Sequence, residues 1–418
     1  MLKRVCFVGL GYIGLPTAVL AANNNTKVHG VDISDDIVDK TNKGLSHINE
    51  PGLEELLLNA VSSGNLHASK EYSKADIFII AVPTPITQDK KADISIVKAV
   101  ATKIAKYLEK GNLVIVESTC PVGTTEKVMQ IISEVRQDLN ISLDEDNTDV
   151  YLAYCPERII PGKTLYELKN NSRIIGGINK QSANLAKEFY SAFCTAELHT
   201  TNAKTAEMAK LSENAYRGVN IAFANELSMI CDEEGINTNE LIELTNLHPR
   251  VDILNPGIGV GGHCIPVDPW FLVERYSRKA SLVSESLKIN INKTSFIKNK
   301  INNLIQDFGI EEVYFLGVSY KEETGDCRES PALEILRTIK CKTIKVIEPN
   351  LSKLPEPLCY MDHITLHPMN NKITQGSFLI KLINHSVLIN LYNDFKGNKY
   401  DAVSNFFSKK VDSIHTVS

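Results

Sequence analysis

The stretch RVCFVGLGYIG, residues 4 to 14, constrains this chain more tightly than any other. An apolar, β-branched run stops at Gly9, and Gly11 and Gly14 follow before an apolar helical pattern. Asp32 stands 18 residues after Gly14, at the end of the next strand pattern. Strand, GxGxxG, helix, strand and acid in that order describe a dinucleotide-binding βαβ unit. Gly9 makes the turn, Gly11 lets a pyrophosphate approach the backbone, and Gly14 allows close helix packing; Tyr12 and Ile13, in the same motif, are expected to bind the cofactor as well. Asp32 accepts from the adenosine ribose hydroxyls, and its charge opposes a 2′-phosphate, so NAD is expected rather than NADP. A glycine turn used only for packing is the plainer alternative, which the βαβ context disfavours. Lys3 and Arg4 before an apolar run also give the outline of a secretory signal, but the three glycines and Pro16 interrupt it.

Five apolar runs, RVCFVG, KVHGVD, ADIFIIAV, NLVIVEST and DVYLAY, read as strands, and residues 94 to 108 and 124 to 137 between them have helical periodicity. Such alternation predicts parallel strands with crossover helices. AVPTP follows the third of these runs, which puts Pro83 and Thr84 at the C-terminal edge of the sheet, where open α/β folds bind ligands. RIIGGI and AELHT extend the pattern. Residues 203 to 234 then form one uninterrupted helical pattern with Gly235 where a stop belongs, and residues 280 to 306 form another. Strand signals return near Val313, followed by a helix from Pro331 to about Ile339 and by TIKVIEPN. At 418 residues the chain exceeds one ordinary core. The expected fold is α/β, with two Rossmann-like doubly wound domains, residues 1–200 and 308–418, joined by a helical domain, residues 201–307, that carries the long helix.

A net charge of −5 and a sequence pI near 6.1 leave no basic excess to neutralise a phosphate backbone, so no nucleic-acid partner is expected. No segment is apolar for long enough to span a bilayer. The nine cysteines are scattered and form no CxxC pair, which argues against a structural zinc or a redox dithiol and suits a reducing cytoplasm.

One of these cysteines stands out. GVGGHCIPVDPW, residues 259 to 270, places Cys264 after a glycine-rich turn and four residues before Asp268. The thiol could be core filler, a zinc ligand with His263, or a nucleophile. Interconverting an alcohol and a carbonyl needs no thiol. Oxidising an aldehyde onward to an acid is different, because hydride must leave a tetrahedral carbon bearing a heteroatom, and a thiolate adding to the aldehyde creates one. On the long helix Lys210, Asn214 and Arg217 fall at i, i+4 and i+7, on one stripe. Such a stripe is either a solvated face or a set of donors for a developing alkoxide.

Taken together, GLGYIGLPTA, AVPTP, VESTCPVGTTE, YCPERIIPG, AEMAKLSENAYRGVNIAFANE, GVGGHCIPVDPW and YKEETGDCRESPALEI resemble the UDP-glucose/GDP-mannose dehydrogenase family, in the family's order from residue 5 to about 350. LHPRVDILNPGIGVGGHCIPVDPWF and VIEPN are most similar to its aminosugar branch, which acts on UDP-N-acetyl-D-mannosamine. The resemblance implies a cytoplasmic, NAD-dependent, four-electron oxidation of a C6 alcohol to a carboxylate, feeding a surface polysaccharide. It assigns Cys264 as nucleophile, Lys210 as oxyanion stabiliser, Asn214 as its hydrogen-bonding partner and Asp268 as the aspartate working with the lysine and water. Glu157 matches a general base for thioester hydrolysis, and Thr119 lies where a threonine positions water and borders the cofactor. Arg328 matches a residue of the cofactor and substrate cleft. Arg250 matches an arginine that reaches a neighbouring subunit's substrate, with Arg158, Arg217, Gly257, Gly261 and Lys321 as further substrate contacts. It also implies a homodimer built on the long helix, a UDP-aminosugar bound by the carboxy-terminal domain, and no metal.

Three departures from the family pattern stand out: Pro161-Gly162 after the PE motif, Ser319-Tyr320 for a more usual Ala-Phe, and YDAVSNFFSKKV, which lacks a terminal Asp-x-Arg. Alternatives are the same chemistry on UDP-glucose, UDP-N-acetylglucosamine or GDP-mannose, a nucleotide-sugar-binding protein without turnover, and a two-electron hydroxyacid dehydrogenase, which would not need Cys264.

Overall fold

The computed structural model describes residues 3–160, 162–307, 309, 311–319, 327–348, 351–366, 378–383 and 386–387. These separate into two compact units, Met1–Ser212 and Glu213–Ser418. Lys321, Pro161, Tyr320 and the YDAVSNFFSKKV segment lie outside the described residues.

The first unit runs β1 (Arg4–Val8), α1 (Gly14–Asn23), β2 (Lys27–Val31), α2 (Asp35–Asn42), α3 (Leu53–Ser62), β3 (Leu66–Ser69), β4 (Ile77–Ile80), α4 (Ser95–Ala105), β5 (Leu113–Val116), α5 (Thr124–Val135), β6 (Tyr151–Tyr154), α6 (Thr164–Asn170), β7 (Arg173–Gly177), α7 (Lys180–Ser191) and β8 (Leu198–Asn202). The helix α8 (Ala203–Glu234) follows and continues past the boundary between the units. The sheet order is β3-β2-β1-β4-β5-β6-β7-β8, and β1 to β6 are mutually parallel in the doubly wound order. Alternate residues of each central strand enter opposite cores: Val5 and Phe7 join one, Cys6 and Val8 the other. Helices cover both faces of such a sheet, and this is why its strands read as unbroken apolar runs. The apparent signal sequence is β1 followed by α1, whose residues Gly14 to Ala22 are all buried; a helix apolar all round is a core helix.

Two features differ from the expected pattern. β3 is an additional strand: LHAS is only four residues long, too short for its alternation to stand out from the flanking polar residues. β7 runs antiparallel to β6, correcting the expectation of parallel strands throughout; β8 is again parallel to β7. The connection from β6 carries only the seven-residue α6, too short to bring the chain back across the sheet, so β7 starts from the edge where β6 ended.

The second unit holds the rest of α8, then α9 (Thr238–Thr245), α10 (Asp268–Arg275), α11 (Ser281–Asp307), β9 (Glu312–Leu316), α12 (Pro331–Thr338), β10 (Thr343–Ile347), β11 (Ile364–Leu366), β12 (Phe378–Ile383) and β13 (Ser386–Val387). Gly235, at φ 69°, stops α8 as expected. The sheet order is β11-β10-β9-β12-β13, parallel except for the last pair. It repeats the order of β3-β2-β1-β4 and also the turn chemistry. Gly9 N donates to Val31 O (2.8 Å) and Leu10 N to Asp32; correspondingly, Gly317 N donates to Ile347 O (2.9 Å) and Val318 N to Glu348. Both glycines have positive φ, 96° and 78°. One strand-to-turn device thus serves both Rossmann-like sheets.

Candidate active site

In the first unit the glycine turn has the form a dinucleotide needs. A Cβ on Gly9 would lie 2.5 Å from Ala81 O, and one on Gly14 would collide with Gly9 O. One on Gly11 would meet nothing within 4 Å, leaving space where a pyrophosphate approaches. Ile13 precedes the first turn of α1, and Tyr12 is exposed at the helix start. The Asp32 carboxylate accepts from Leu10 N at 2.9 Å and from Ser34 N at 3.0 Å, which fixes its direction and keeps lone pairs for ribose hydroxyls. These residues fit NAD.

Pro83 and Thr84 follow β4 next to the switch point between β1 and β4, and the Thr84 hydroxyl donates to Thr119 O at 2.6 Å. Thr119 therefore lies at the same sheet edge as the dinucleotide turn. Glu157, two residues beyond Cys155 at the end of β6, is half-buried and accepts from Ile159 N at 2.5 Å. Lys210 is only 6% exposed; its ammonium donates to Glu157 O at 2.6 Å and stands 3.8 Å from Glu157 Oε2. The solvated-face reading of the helix stripe therefore fails for Lys210, whereas Arg217 is exposed. Arg158 is exposed and donates to Ser172 O at 3.0 Å.

Glu207, three residues before Lys210, was not singled out in the sequence. It is buried and accepts from Gly123 N (2.5 Å), Thr125 N (2.8 Å) and Thr125 Oγ1 (2.7 Å). A carboxylate there caps α5 and faces its positive end. It ties the first turns of α8, and with them Lys210, to the segment that carries Thr119. No spacing along the chain signals it, because its burial and its partners arise from tertiary packing.

In the second unit Asp268 opens α10, is 4% exposed, and accepts from Asn214 Nδ2 at 2.5 Å. Its own N–H and that of Val267 donate to Cys264 O at 2.8 and 3.1 Å, so the start of α10 holds the cysteine's main chain. Cys264 is half-buried, unlike Cys6 and Cys155, whose thiols burial pushes up to about 12 and about 11. Cys327 and Cys341 share that partial burial, and both pack against the core of the second unit. None of the nine cysteines is in a disulfide. Among the described residues no group of three or more His, Cys, Asp or Glu could hold a metal ion, whereas zinc needs ligands beyond Cys264 and His263.

Arg328 O accepts from Gly262 N at 3.0 Å, and its guanidinium meets His263 Nδ1 at 3.1 Å, placing Arg328 beside the cysteine loop. Gly257 is buried and Gly261 half-buried on that loop. Arg250 is exposed in a loop that Asn246 closes, with Asn246 Nδ2 donating to Ile253 O (3.0 Å) and Asn246 Oδ1 accepting from Ile253 N (2.8 Å). No helix among the described residues is long and apolar enough to cross a membrane.

Comparison with known proteins agrees with this geometry. The NAD binding domain profile of the UDP-glucose/GDP-mannose dehydrogenase family matches residues 3–194, and the family's central domain profile matches residues 204–292. A UDP-N-acetyl-D-mannosamine dehydrogenase of Campylobacter jejuni is 45% identical over 397 residues, covering 94% of this chain and 98% of its own length. An NDP-N-acetyl-D-galactosaminuronic acid dehydrogenase of Ralstonia solanacearum is 43% identical over 397 residues, covering 94% and 93%. Among solved structures, a UDP-D-ManNAc dehydrogenase from Pyrococcus horikoshii aligns with a TM-score of 0.84 at 34% identity, over 96% of this chain and 92% of that one. With the dinucleotide turn, the cysteine loop and these matches extending over nearly the whole chain, the protein belongs to the UDP-glucose/GDP-mannose dehydrogenase family, the NAD-dependent dehydrogenases of nucleotide sugars.

Proposed function

We propose that the chain oxidises C6 of UDP-N-acetyl-D-mannosamine from alcohol to carboxylate, with Cys264 as the covalent nucleophile. The observation that carries the chemistry is the half-buried Cys264, whose carbonyl caps α10 while Asp268, the first residue of that helix, is held by Asn214. The sugar is supported by the Campylobacter and Pyrococcus relatives, both named as dehydrogenases of UDP-N-acetyl-D-mannosamine.

NAD, when bound, takes up a hydride in each of the two oxidations. The first oxidation breaks a C6–H bond, whose hydride goes to NAD, and the O–H bond of the C6 hydroxyl, whose proton goes to solvent, and leaves an aldehyde. Lys210 and Asn214 stabilise oxygen as it gains charge, and Asp268 sets the amide of Asn214. The Cys264 thiolate adds to the aldehyde carbon, forming the S–C bond and moving the carbonyl pair to oxygen. Loss of the second hydride restores the carbonyl as a thioester. Glu157 takes a proton from a water held by Thr119, the oxygen adds to the carbonyl carbon, and the S–C bond breaks to return the thiolate. Alcohol, two NAD+ and water give carboxylate, two NADH and three protons.

The organisation that suits this reading is tripartite, with residues 1–200 for NAD, 201–307 for catalysis and pairing, and 308–418 for the UDP moiety, where Lys321 and Arg328 contribute. Arg158, Arg217, Gly257 and Gly261 are proposed substrate contacts. The working state is a cytoplasmic homodimer paired along α8, with Arg250 reaching the partner's substrate. Tyr216, Phe223 and Ile230, spaced by seven and 73%, 50% and 51% exposed, give α8 an apolar stripe that a second copy of the same helix would cover.

Mass spectrometry of products and protein tests the reading. Cys264→Ala is expected to yield no uronate and at most slow formation of one NADH per sugar, and Cys264→Ser to accumulate a covalent ester. Uronate formed by Cys264→Ala at near wild-type rate would remove the nucleophile from the account.

A further inference from the structure

The cysteine loop is held by side chains of α8 and α11 to which no catalytic role has been given above. Gly257 N donates to Asn225 Oδ1 at 2.7 Å. Because a main-chain N–H can meet only an acceptor, this orients the Asn225 amide, whose Nδ2 then donates to Asn290 Oδ1 at 2.9 Å. The Asn290 amide is oriented in turn, and its Nδ2 donates to Gly218 O at 3.2 Å. One residue along the loop, Ile258 O accepts from Thr294 Oγ1 at 2.8 Å.

These side chains are buried, with Asn225 0%, Asn290 5% and Thr294 4% exposed. Each bond therefore forms away from competing water, and an unmade one leaves a polar group stranded. Sterics reinforce the hold. Gly259 has φ 130°, and a Cβ there would collide with Thr294 Oγ1. A Cβ on Gly218 would lie 3.3 Å from Ile265 Cγ2, so the residue after Cys264 packs against the turn of α8 whose carbonyl Asn290 holds. The chain thus fixes residues 257 and 258 at one end and the neighbour of Cys264 at the other.

We propose that Asn225, Asn290 and Thr294 are positioning residues for the Cys264 thiol: the Asn225–Asn290 chain between α8 and α11 and the separate Thr294 bond together set where the thiolate stands when it meets the aldehyde. The proposal rests on Cys264 being the nucleophile. A thiol displaced by a fraction of an ångström loses attack geometry steeply, while NAD binding, built in the other unit, is untouched. The step affected is the second oxidation, so the chain's failure shows in the product ratio as well as in the rate.

The test compares Thr294→Val, Thr294→Ser, Asn225→Ala and Cys264→Ala in the full-length enzyme. For each, kcat, KM for NAD, NADH formed per sugar and melting temperature are measured. Thr294→Val, which keeps the volume and loses the hydroxyl, is expected to lower kcat roughly tenfold or more, with KM for NAD within about twofold. NADH per sugar should move from two toward one, and Thr294→Ser should restore both the rate and the ratio. Asn225→Ala should behave as Thr294→Val does; if it fails to fold, the Thr294 pair decides. Wild-type turnover and ratio in Thr294→Val, or equal loss in Thr294→Ser, overturns the positioning role even where melting temperature falls. Should Cys264→Ala still make acid, the nucleophile reading fails first and the positioning role fails with it.

Discussion

Asp32 shows how one carboxylate can set a turn and select a cofactor. Leu10 N and Ser34 N hold its two oxygens, so it cannot swing away from the space beside Gly11. A ribose 2′-hydroxyl meets a fixed acceptor there, and a 2′-phosphate meets a fixed negative charge. NAD is accordingly expected to exceed NADP in kcat/KM. Asp32→Ala should cost about 10- to 100-fold with NAD, the range of one hydrogen bond to a charged group. Steady-state kinetics with both cofactors checks this, and equal use of NADP by the wild type would contradict it. Lys210 is the second residue whose burial turns an expectation into a number. Its ammonium lies against Glu157 O, so Lys210→Ala strands that carbonyl as well as removing a charge. The expected loss is about 10²- to 10³-fold in kcat, with about 1 to 3 kcal/mol of stability and little change in NAD affinity. Near-normal turnover would remove Lys210 from the chemistry.

The reversed strand β7 brings Arg173, its first residue, to the end of β6. There the guanidinium reaches Cys155 Sγ at 3.8 Å and lies 4.6 Å from the Tyr190 ring centroid, while Tyr190 OH donates to Glu117 Oε1 at 2.5 Å. Burial pushes the Glu117 carboxyl from 4.5 up to about 7, against the pull of Arg173 and the Tyr190 hydroxyl. Between those values the native state holds a proton that the unfolded chain has released. This group's contribution to stability therefore falls as pH rises through that window and levels off above it. Tyr190→Phe should cost about 1 to 3 kcal/mol at pH 8, where the lost bond is to a carboxylate, and less at pH 5; an equal loss at both would contradict this. Thermal melts at the two pH values read the difference.

The strands β1, β2 and β4 to β6, the stop at Gly235 and the Asp32 turn were legible because each rests on local patterning or on backbone chemistry particular to glycine. The reversal of β7, the Glu207 cap and the Asn225 chain were not. Their partners, main-chain and side-chain alike, are brought together by tertiary packing, and no spacing along the chain encodes those meetings. Cys264 itself was legible only as one of three possibilities, and the hydrogen bonds that hold its carbonyl at the start of α10 come from the fold.

At the scale of the whole molecule, the proposed dimer makes activity depend on the exposed apolar stripe of α8. A charge placed in the middle of the α8 stripe, Phe223→Glu, should shift the protein from dimer to monomer in light scattering and lower activity in parallel, because Arg250 would lose the partner's substrate. A dimer that survives the change with full activity would move the interface elsewhere. The central claim, a four-electron oxidation selective for one aminosugar, is tested most directly by counting NADH formed per sugar consumed across UDP-N-acetylmannosamine, UDP-N-acetylglucosamine, UDP-glucose and GDP-mannose. Two NADH per UDP-N-acetylmannosamine, with a uronate product and the highest kcat/KM of the panel, is the expected result; one NADH per sugar, or a better rate with any of the other three, would contradict it.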